Sequence, residues 1–399
     1  KTSKTTAKNN QSQRQLGRII TIVFIVFVAA NAFYFISTGS DPFGLFTLEE
    51  PTPTAVIEDE SIADVGGGTN WWEVYFTNPN EINDPENLSG SIPEKLIEYI
   101  DNAETSIHIA AFELNLTPVA NALIEAHRRG VDVKWVTDDE HGLEADEEED
   151  HGQFKMLTDS DIKVLDDGRS ALMHNKFIIF DNEIVWTGST NLTLNGNFRN
   201  NNNVLVIHSP ELAQIFEVEF VEMLDGEFGP TSPSTSGDQN ISIDGTPIQV
   251  LFAAEDDVIS KLIPLVENAE KSIRFMAFSF THDDLGSAVL ARAEAGVDVK
   301  GIFEKRGSET EYSEMPGLYC AGVDVRQDGN PGTFHHKVFV IDDLTVITGS
   351  LNFSDNADES NDENVVIISN QEIALEYLSE FEKRWAEAEL PDKADMGCK

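Results

Sequence analysis

The chain has 399 residues, 40% hydrophobic and 9% aromatic, with 27 Lys and Arg against 71 Asp and Glu and a formal charge of −44. That apolar content is enough for a large core and excludes disorder throughout. The charge weighs against general nucleic-acid binding, which draws its affinity from cations laid against phosphates.

The amino terminus departs from this balance. Lys1, Lys4, Lys8, Arg14 and Arg18 precede the first carboxylate, Asp41. Between them, Ile19 to Thr38 carries no charge, and at ~1.5 Å per residue it reaches ~30 Å, the thickness of a bilayer's hydrocarbon layer. The expected layout is a basic cytoplasmic tail (1–18), a transmembrane signal anchor (19–38), an acidic Pro/Gly linker (39–70) and an exported remainder. Ala30-Asn31-Ala32 has the look of a cleavage site, so the alternative is a secreted protein whose signal is removed.

A second linker, 229–246, rich in Pro, Ser and Gly, divides the exported part into segments 71–228 and 247–390, followed by a tail, 391–399. The two segments are copies of one unit. Lys95 to Ile107 matches Lys261 to Ile273 at an offset of 166, and Gly130-Val-Asp-Val-Lys134 matches Gly296-Val-Asp-Val-Lys300. In the first copy, Pro93–Ala103 and Thr117–Arg129 have helical spacing, while Thr105–Leu114 and Val131–Thr137 read as strands. Alternating strands and helices in a duplicated unit predict two α/β lobes, each a largely buried mixed sheet covered by helices, related by a pseudo-twofold axis.

The loop that follows is acidic in one copy: Asp138 to Asp150 holds nine carboxylates in thirteen residues, and it lacks the alternating ligands of a calcium loop. The second copy has Glu304-Lys305-Arg306 at the corresponding place, so the two rims differ in sign. The two cysteines, Cys320 and Cys398, form no metal spacing, and a bridge between them is not expected because Cys398 lies in the tail.

Near the end of each copy stands a matched constellation, His174-Asn-Lys176, Asp181, Gly188-Ser189 and Asn191, repeated as His335-His-Lys337, Asp342, Gly349-Ser350 and Asn352 at an offset of 161. Residues i and i+2 of a strand share a face, so His and Lys point together while Asn175 or His336 points away. Lys and Asn suit the oxygens of a phosphate, and imidazole serves as nucleophile or general acid. His108, His208 and His336 read as structural. Asp181 and Asp342 have the parity opposite to the histidines and end their strands, so a structural role is at least as fitting as a chemical one.

The constellation resembles the signature of the phospholipase D superfamily, His-x-Lys-x4-Asp followed by Gly-Ser and Asn, twice in one chain. The resemblance covers about residues 70–388. It implies a phosphodiesterase that works without metal or cofactor through a phosphohistidine, with His174, Lys176, Asp181, His335, Lys337 and Asp342 as the catalytic set, His174 as nucleophile and His335 as acid, with Asn191, Asn352, Ser189 and Ser350 around the phosphate, and with both lobes forming one site of an α/β/α sandwich in a monomer. The superfamily's trailing acid falls on Glu363 in the second copy, whereas the first has Asn202, which leaves one imidazole without a carboxylate. The expected partner is a phospholipid membrane surface, with a nucleic-acid substrate disfavoured by charge. Other readings are an exported endonuclease, a transphosphatidylase of the cardiolipin synthase kind, and a catalytically idle surface-binding module.

Overall fold

The computed structural model describes residues 71–233 and 239–398. Residues 1–70, with the expected tail, anchor and linker, lie outside the described residues. Among the described residues no helix is long and apolar enough to cross a membrane.

The first lobe contributes seven strands: β1 Trp72–Phe76, β2 Ser106–Ala111, β3 Asp132–Thr137, β4 Lys163–Asp166, β5 Lys176–Phe180, β6 Ile184–Gly188 and β7 Asn203–His208. They form one mixed sheet in the order β1-β7-β6-β5-β2-β3-β4. The second lobe supplies β8 Asn240–Ile243, β9 Thr246–Ala253, β10 Ser272–Ala277, β11 Asp298–Phe303, β12 Asp324–Gln327, β13 Lys337–Ile341, β14 Thr345–Gly349 and β15 Glu363–Ser369. Their order, β12-β11-β10-β13-β14-β15-β9-β8, repeats the first sheet and adds β8 at its edge. In each lobe three strands run parallel through helical crossovers, and the motif strand, β5 or β13, joins them antiparallel. Part of the expected second linker is therefore sheet: Pro and Ser punctuate it, but Asn240–Ile243 alternates exposure and pairs with β9.

Helix Ile92–Asn102 begins at the Ser91 cap with Pro93 in its first turn, and helix Thr117–Arg129 ends at Gly130, whose left-handed backbone closes it. Both pack Leu96, Ile100, Ala120 and Leu123 on the outer face of the first sheet, and a matching cluster covers the outer face of the second. Between the sheets lies a shared core. Helices Pro210–Leu224 and Gln371–Glu387 bury Phe216, Phe220, Tyr377 and Phe381 there, against Phe177 and Ile179 of β5 and Val338 and Val340 of β13. The alternation along β5 and β13 thus sends Phe177 and Val338 inward and leaves the parity of Lys176 and Lys337 for the site.

The lobes are joined by polar contacts that come in symmetric pairs. The His174 amide donates to the Asp362 carbonyl and the His335 amide to the Asn201 carbonyl, each at 2.9 Å. Thr348 Oγ1 donates to Asn203 Oδ1 at 2.9 Å, and Asn364 Nδ2 to Thr187 Oγ1 at 2.7 Å. Both motif histidines are in this way fixed by the opposite lobe.

The carboxyl-terminal segment corrects one expectation. Cys320, the last residue of helix Glu314–Cys320, is disulfide-bonded to Cys398, 78 positions away, with Cα atoms 5.3 Å apart. Met396 is buried in the second lobe's outer core, which folds the tail back and brings Cys398 to the helix end.

Candidate active site

The site forms where the amino-terminal ends of β5 and β13 meet across the lobes. His174, Lys176, His335 and Lys337 are all at least nine-tenths buried. Lys176 Nζ donates to the His174 carbonyl at 2.8 Å and lies over the Phe112 ring, while Lys337 Nζ donates to the His335 carbonyl at 2.9 Å and lies over Phe278. The same two rings pack against the imidazoles, Phe112 on His174 and Phe278 on His335, each with centroids 4.9 Å apart. One aromatic wall in each lobe therefore fixes both polar groups.

The orienting residues cross between lobes. His174 Nδ1 is 2.7 Å from Glu363 of the second lobe, and His335 Nδ1 is 2.9 Å from Asn202 Oδ1 and 3.1 Å from the Ser189 carbonyl of the first. With Nδ1–H as donor in each, both Nε2 atoms are free to act on a substrate. His335 is the imidazole that lacks a carboxylate. Behind these pairs sit the serines of the Gly-Ser turns: Ser189 Oγ donates to Asn202 Oδ1 at 2.8 Å, and Ser350 hydrogen-bonds Glu363. Both hydroxyls are fully buried in support of the orienting side chains. The preceding glycines are required by close approach. A Cβ on Gly188 would lie 2.3 Å from the Asn203 carbonyl, and one on Gly349 would lie 2.1 Å from that of Asn364.

Burial and mutual charge set the protonation states. Both imidazoles are held well below their ordinary value, first by burial and then by the two ammonium groups. Burial also pushes Lys176 down to about 8 against the pull of Glu363 and Glu113, and pushes Glu363 up to about 8 against the pull of Lys176. Lys337 is lowered by burial and by Lys176. A phosphodiester anion placed among these groups offsets the two cations and raises both imidazoles, which is the condition for one of them to become an acid.

Asn191 and Asn352 flank the site, and in each the buried Oδ1 has no hydrogen-bond partner among the described residues. Asn191 Nδ2 donates to Glu113, a residue that its sequence position did not single out. Glu113 follows β2 and faces Lys176, and burial raises its carboxyl. Its counterpart at the 166 offset is Ser279.

Asp181 and Asp342 stand at the far ends of their strands. Asp181 accepts from the amides of Glu104, Thr105 and Ser106, and Asp342 from those of Glu270, Lys271 and Ser272. Burial opposes ionisation, but these amides hold both carboxyls below the ordinary value. The two carboxylates tie the helix-to-strand turns to the motif strands and touch neither imidazole.

At the start of the acidic loop, oxygens of Asp138 and Asp139 lie within 4.8 Å of one another and of an Asp167 oxygen from just after β4. Asp138 accepts from the His141 and Met173 amides, and Asp167 from the Asp139 amide and Arg169, so these carboxylates already serve the protein.

A family described as "Cardiolipin synthase, PLD-like domain" matches residues 96–224 and 262–385, the greater part of both lobes. The chain belongs to this phospholipase D-like family. A mitochondrial cardiolipin hydrolase of Xenopus tropicalis is 36% identical over 132 residues, 33% of this chain and 63% of that protein. A phospholipase D of Rickettsia conorii is 36% identical over 121 residues, 30% of this chain and 60% of that protein. The chain thus spans less than two thirds of the length of these relatives. The crystal structure of a phosphatidylserine synthase from Haemophilus influenzae covers 79% of this chain and 85% of its own, with a TM-score of 0.57 at 16% identity, and shares the fold.

Proposed function

We propose that the chain is a phospholipase D-type phosphodiesterase that hydrolyses the head-group ester of phospholipids through a phosphohistidine on His174. The observation that carries this reading is the crossed pairing of Glu363 with His174 and Asn202 with His335, which presents two Nε2 atoms to one buried space between Lys176 and Lys337. His174 Nε2 forms a bond to phosphorus, the P–O bond to the leaving alcohol breaks, and His335 gives its proton to that oxygen. Water then attacks phosphorus, His335 takes its proton, and the P–N bond breaks. Lys176, Lys337, Asn191 and Asn352 hold the non-bridging oxygens as charge develops on them.

A lipid is favoured over nucleic acid by charge. Two buried lysines suffice for one phosphate, while the acidic loop and a formal charge of −44 repel a polyanion. Both histidines come from one chain, which suits a monomer. Ile19 to Thr38 would hold the enzyme at a membrane with its lobes on the extracytoplasmic side. The Cys320–Cys398 bridge supports an oxidising compartment.

The test is incubation of the full chain, in detergent, with phosphatidylcholine and phosphatidylglycerol vesicles and, separately, with single- and double-stranded DNA. Released head group that is lost in His174→Ala is the expected result. Cleaved DNA beside untouched lipid would overturn the lipid assignment, and no turnover of either would return the chain to a binding module.

A further inference from the structure

The two aromatic walls of the site are equivalent by symmetry but differ in what covers them. On Phe112 lies the His141 ring, with centroids 4.8 Å apart, from the turn Asp139–Glu144. His141 stands three residues after Asp138, which accepts the Met173 amide. In the second lobe Glu304 accepts the Phe334 amide in the same way, and three residues after it stands Gly307. A Cβ on Gly307 would meet nothing within 4 Å. With no ring there, Phe278 borders a cavity of about 200 Å³, lined also by Ser279, Phe280, Phe303, Arg306 and Ser308.

Charge divides in the same sense. Glu113, Asp139 and Glu140 of the first lobe correspond to Ser279, Lys305 and Arg306 of the second, and of these Ser279 and Arg306 line the open cavity. Arg306 donates through Nε to Glu304 and through a terminal nitrogen to Thr333 Oγ1 at 2.7 Å, two residues before His335. The Glu304 carboxylate is paired with its Nε edge, but the Arg306 side chain remains largely exposed and lines the cavity beside Phe278, where a ligand anion can reach it. Lys305 faces Glu389.

The direction of the reaction assigns this cavity an occupant. If His174 attacks from the first lobe, in-line displacement sends the leaving oxygen toward His335, and the group attached to that oxygen extends along Phe278. From this we infer that the cavity beside Phe278 is the leaving-alcohol subsite, and that Arg306 selects alcohols carrying a distal anion, such as a phosphate. This rests on the phosphodiesterase reading above and adds which end of the diester lies in which lobe. A cationic alcohol such as choline gains nothing from Arg306 and meets no carboxylate at Ser279.

The experiment compares two diesters that differ only at the far end of the leaving alcohol, phosphatidylglycerol and phosphatidylglycerol phosphate, presented in the same detergent micelles to the full chain. The expected ratio of kcat/KM is about five to ten in favour of the phosphorylated alcohol, the worth of one exposed charge-assisted contact. In Arg306→Gln the ratio falls to about one, with the change in KM, and Arg306→Lys restores part of it as a point charge. Ser279→Glu, which places the first lobe's carboxylate on the open wall, drives the ratio below one. Wild-type hydrolysis of both lipids at equal kcat/KM, or a ratio that Arg306→Gln leaves in place, would overturn the subsite while the phosphodiesterase reading stands. No hydrolysis of either lipid would overturn both.

Discussion

Glu363 of the second lobe meets His174 Nδ1 of the first at 2.7 Å, inside a space from which both are almost wholly shielded. On the proposed mechanism the pair decides when His174 acts as the nucleophile. Burial pushes the Glu363 carboxyl up to about 8, so the free protein at neutral pH holds it mostly protonated. Losing that proton creates the form in which Nδ1–H donates to a carboxylate and Nε2 keeps its lone pair. Lys176, pushed down to about 8 by the same burial, loses its charge in that range. Activity is therefore expected to rise as pH approaches 8 and to fall above it, in a narrow bell whose limbs belong to the coupled site. In Glu363→Gln the rising limb disappears and kcat drops by about 10²-fold or more. A kcat/KM profile from pH 5 to 10 for both proteins checks this, and an unchanged rising limb in the variant would remove Glu363 from the role.

Asn202 holds the position toward His335 that Glu363 holds toward His174. A neutral amide orients the ring without stabilising its cation, which keeps His335 ready to give up a proton. Asn202→Asp places a carboxylate there, with Ser189 as donor to it, and should raise the His335 value by about a unit or more. The expected outcome is an acid step that persists to higher pH and runs more slowly with poor leaving groups, while the falling limb set by Lys176 stays in place. Single-turnover rates for p-nitrophenol and alkyl leaving groups separate the two effects.

The halves of each motif were legible in the chain because they are local. A duplicated unit, a period of two along Phe177 to Phe180 and a Gly-Ser turn are statements about neighbouring residues, and the lobes follow from them. What crosses the molecule was not legible. Glu363 lies in the second unit beside its own motif, and nothing in its spacing says that it serves His174 of the first. Cys398 read as tail because the packing of Met396, which returns that segment to the second lobe, depends on a core assembled from other parts of the chain. The Asp residues of the motifs stood among the expected catalytic groups on the strength of the signature, although strand parity set them apart from the histidines, and they bind backbone amides at the far strand ends.

Asp181 serves the scaffold by holding three backbone amides of the helix-to-strand turn against its strand end. Asp181→Ala is expected to cost about 1–3 kcal/mol of stability. Because the carboxylate is far along β5 from His174, folded variant should keep most of its kcat. Asp342→Ala gives the same in the second lobe. Urea titration beside kcat on the folded protein separates stability from chemistry, and a loss of kcat by more than about 10²-fold with unaltered stability would assign these residues to the reaction.

The Cys320–Cys398 bridge closes a long loop around β12 to β15 and the helix Gln371–Glu387, the elements that carry His335 and Glu363. Constraining a loop of this size is worth about 2–4 kcal/mol. Reduction, or the Cys320→Ser and Cys398→Ser double variant, is expected to lower Tm by several degrees. Loss of activity on mild heating should follow the second lobe's melting, measured by tryptophan fluorescence with and without reductant.

Broken symmetry also sets the stability of the lobe interface. In the second lobe's helix, Glu380 is paired with Arg384 and faces His336. The corresponding residues of the first are Glu219, Met223 and Asn175, so Glu219 has lost its cation. It hydrogen-bonds Glu255 of the second lobe instead, which requires a proton between the two carboxyls. Glu222 of the same helix, and Asp256 and Asp362 of the second lobe, add negative charge, and Arg169 is engaged with Asp362. Burial and these charges raise Glu219, and burial with Asp256 and Asp362 raises Glu255 to about 8. An ordinary Glu titrates near 4.3 in the unfolded chain. The folded state therefore binds more protons between these values, and the pair's contribution is fully present below about 4.3 and lost as pH rises through about 8. Tm should fall steadily from pH 5 to 8.5, and Glu219→Gln, which donates to Glu255 at every pH, should flatten that slope and raise Tm at pH 8. Thermal melts of the two proteins across this range check it: parallel slopes would show that the acid pair does not govern the interface.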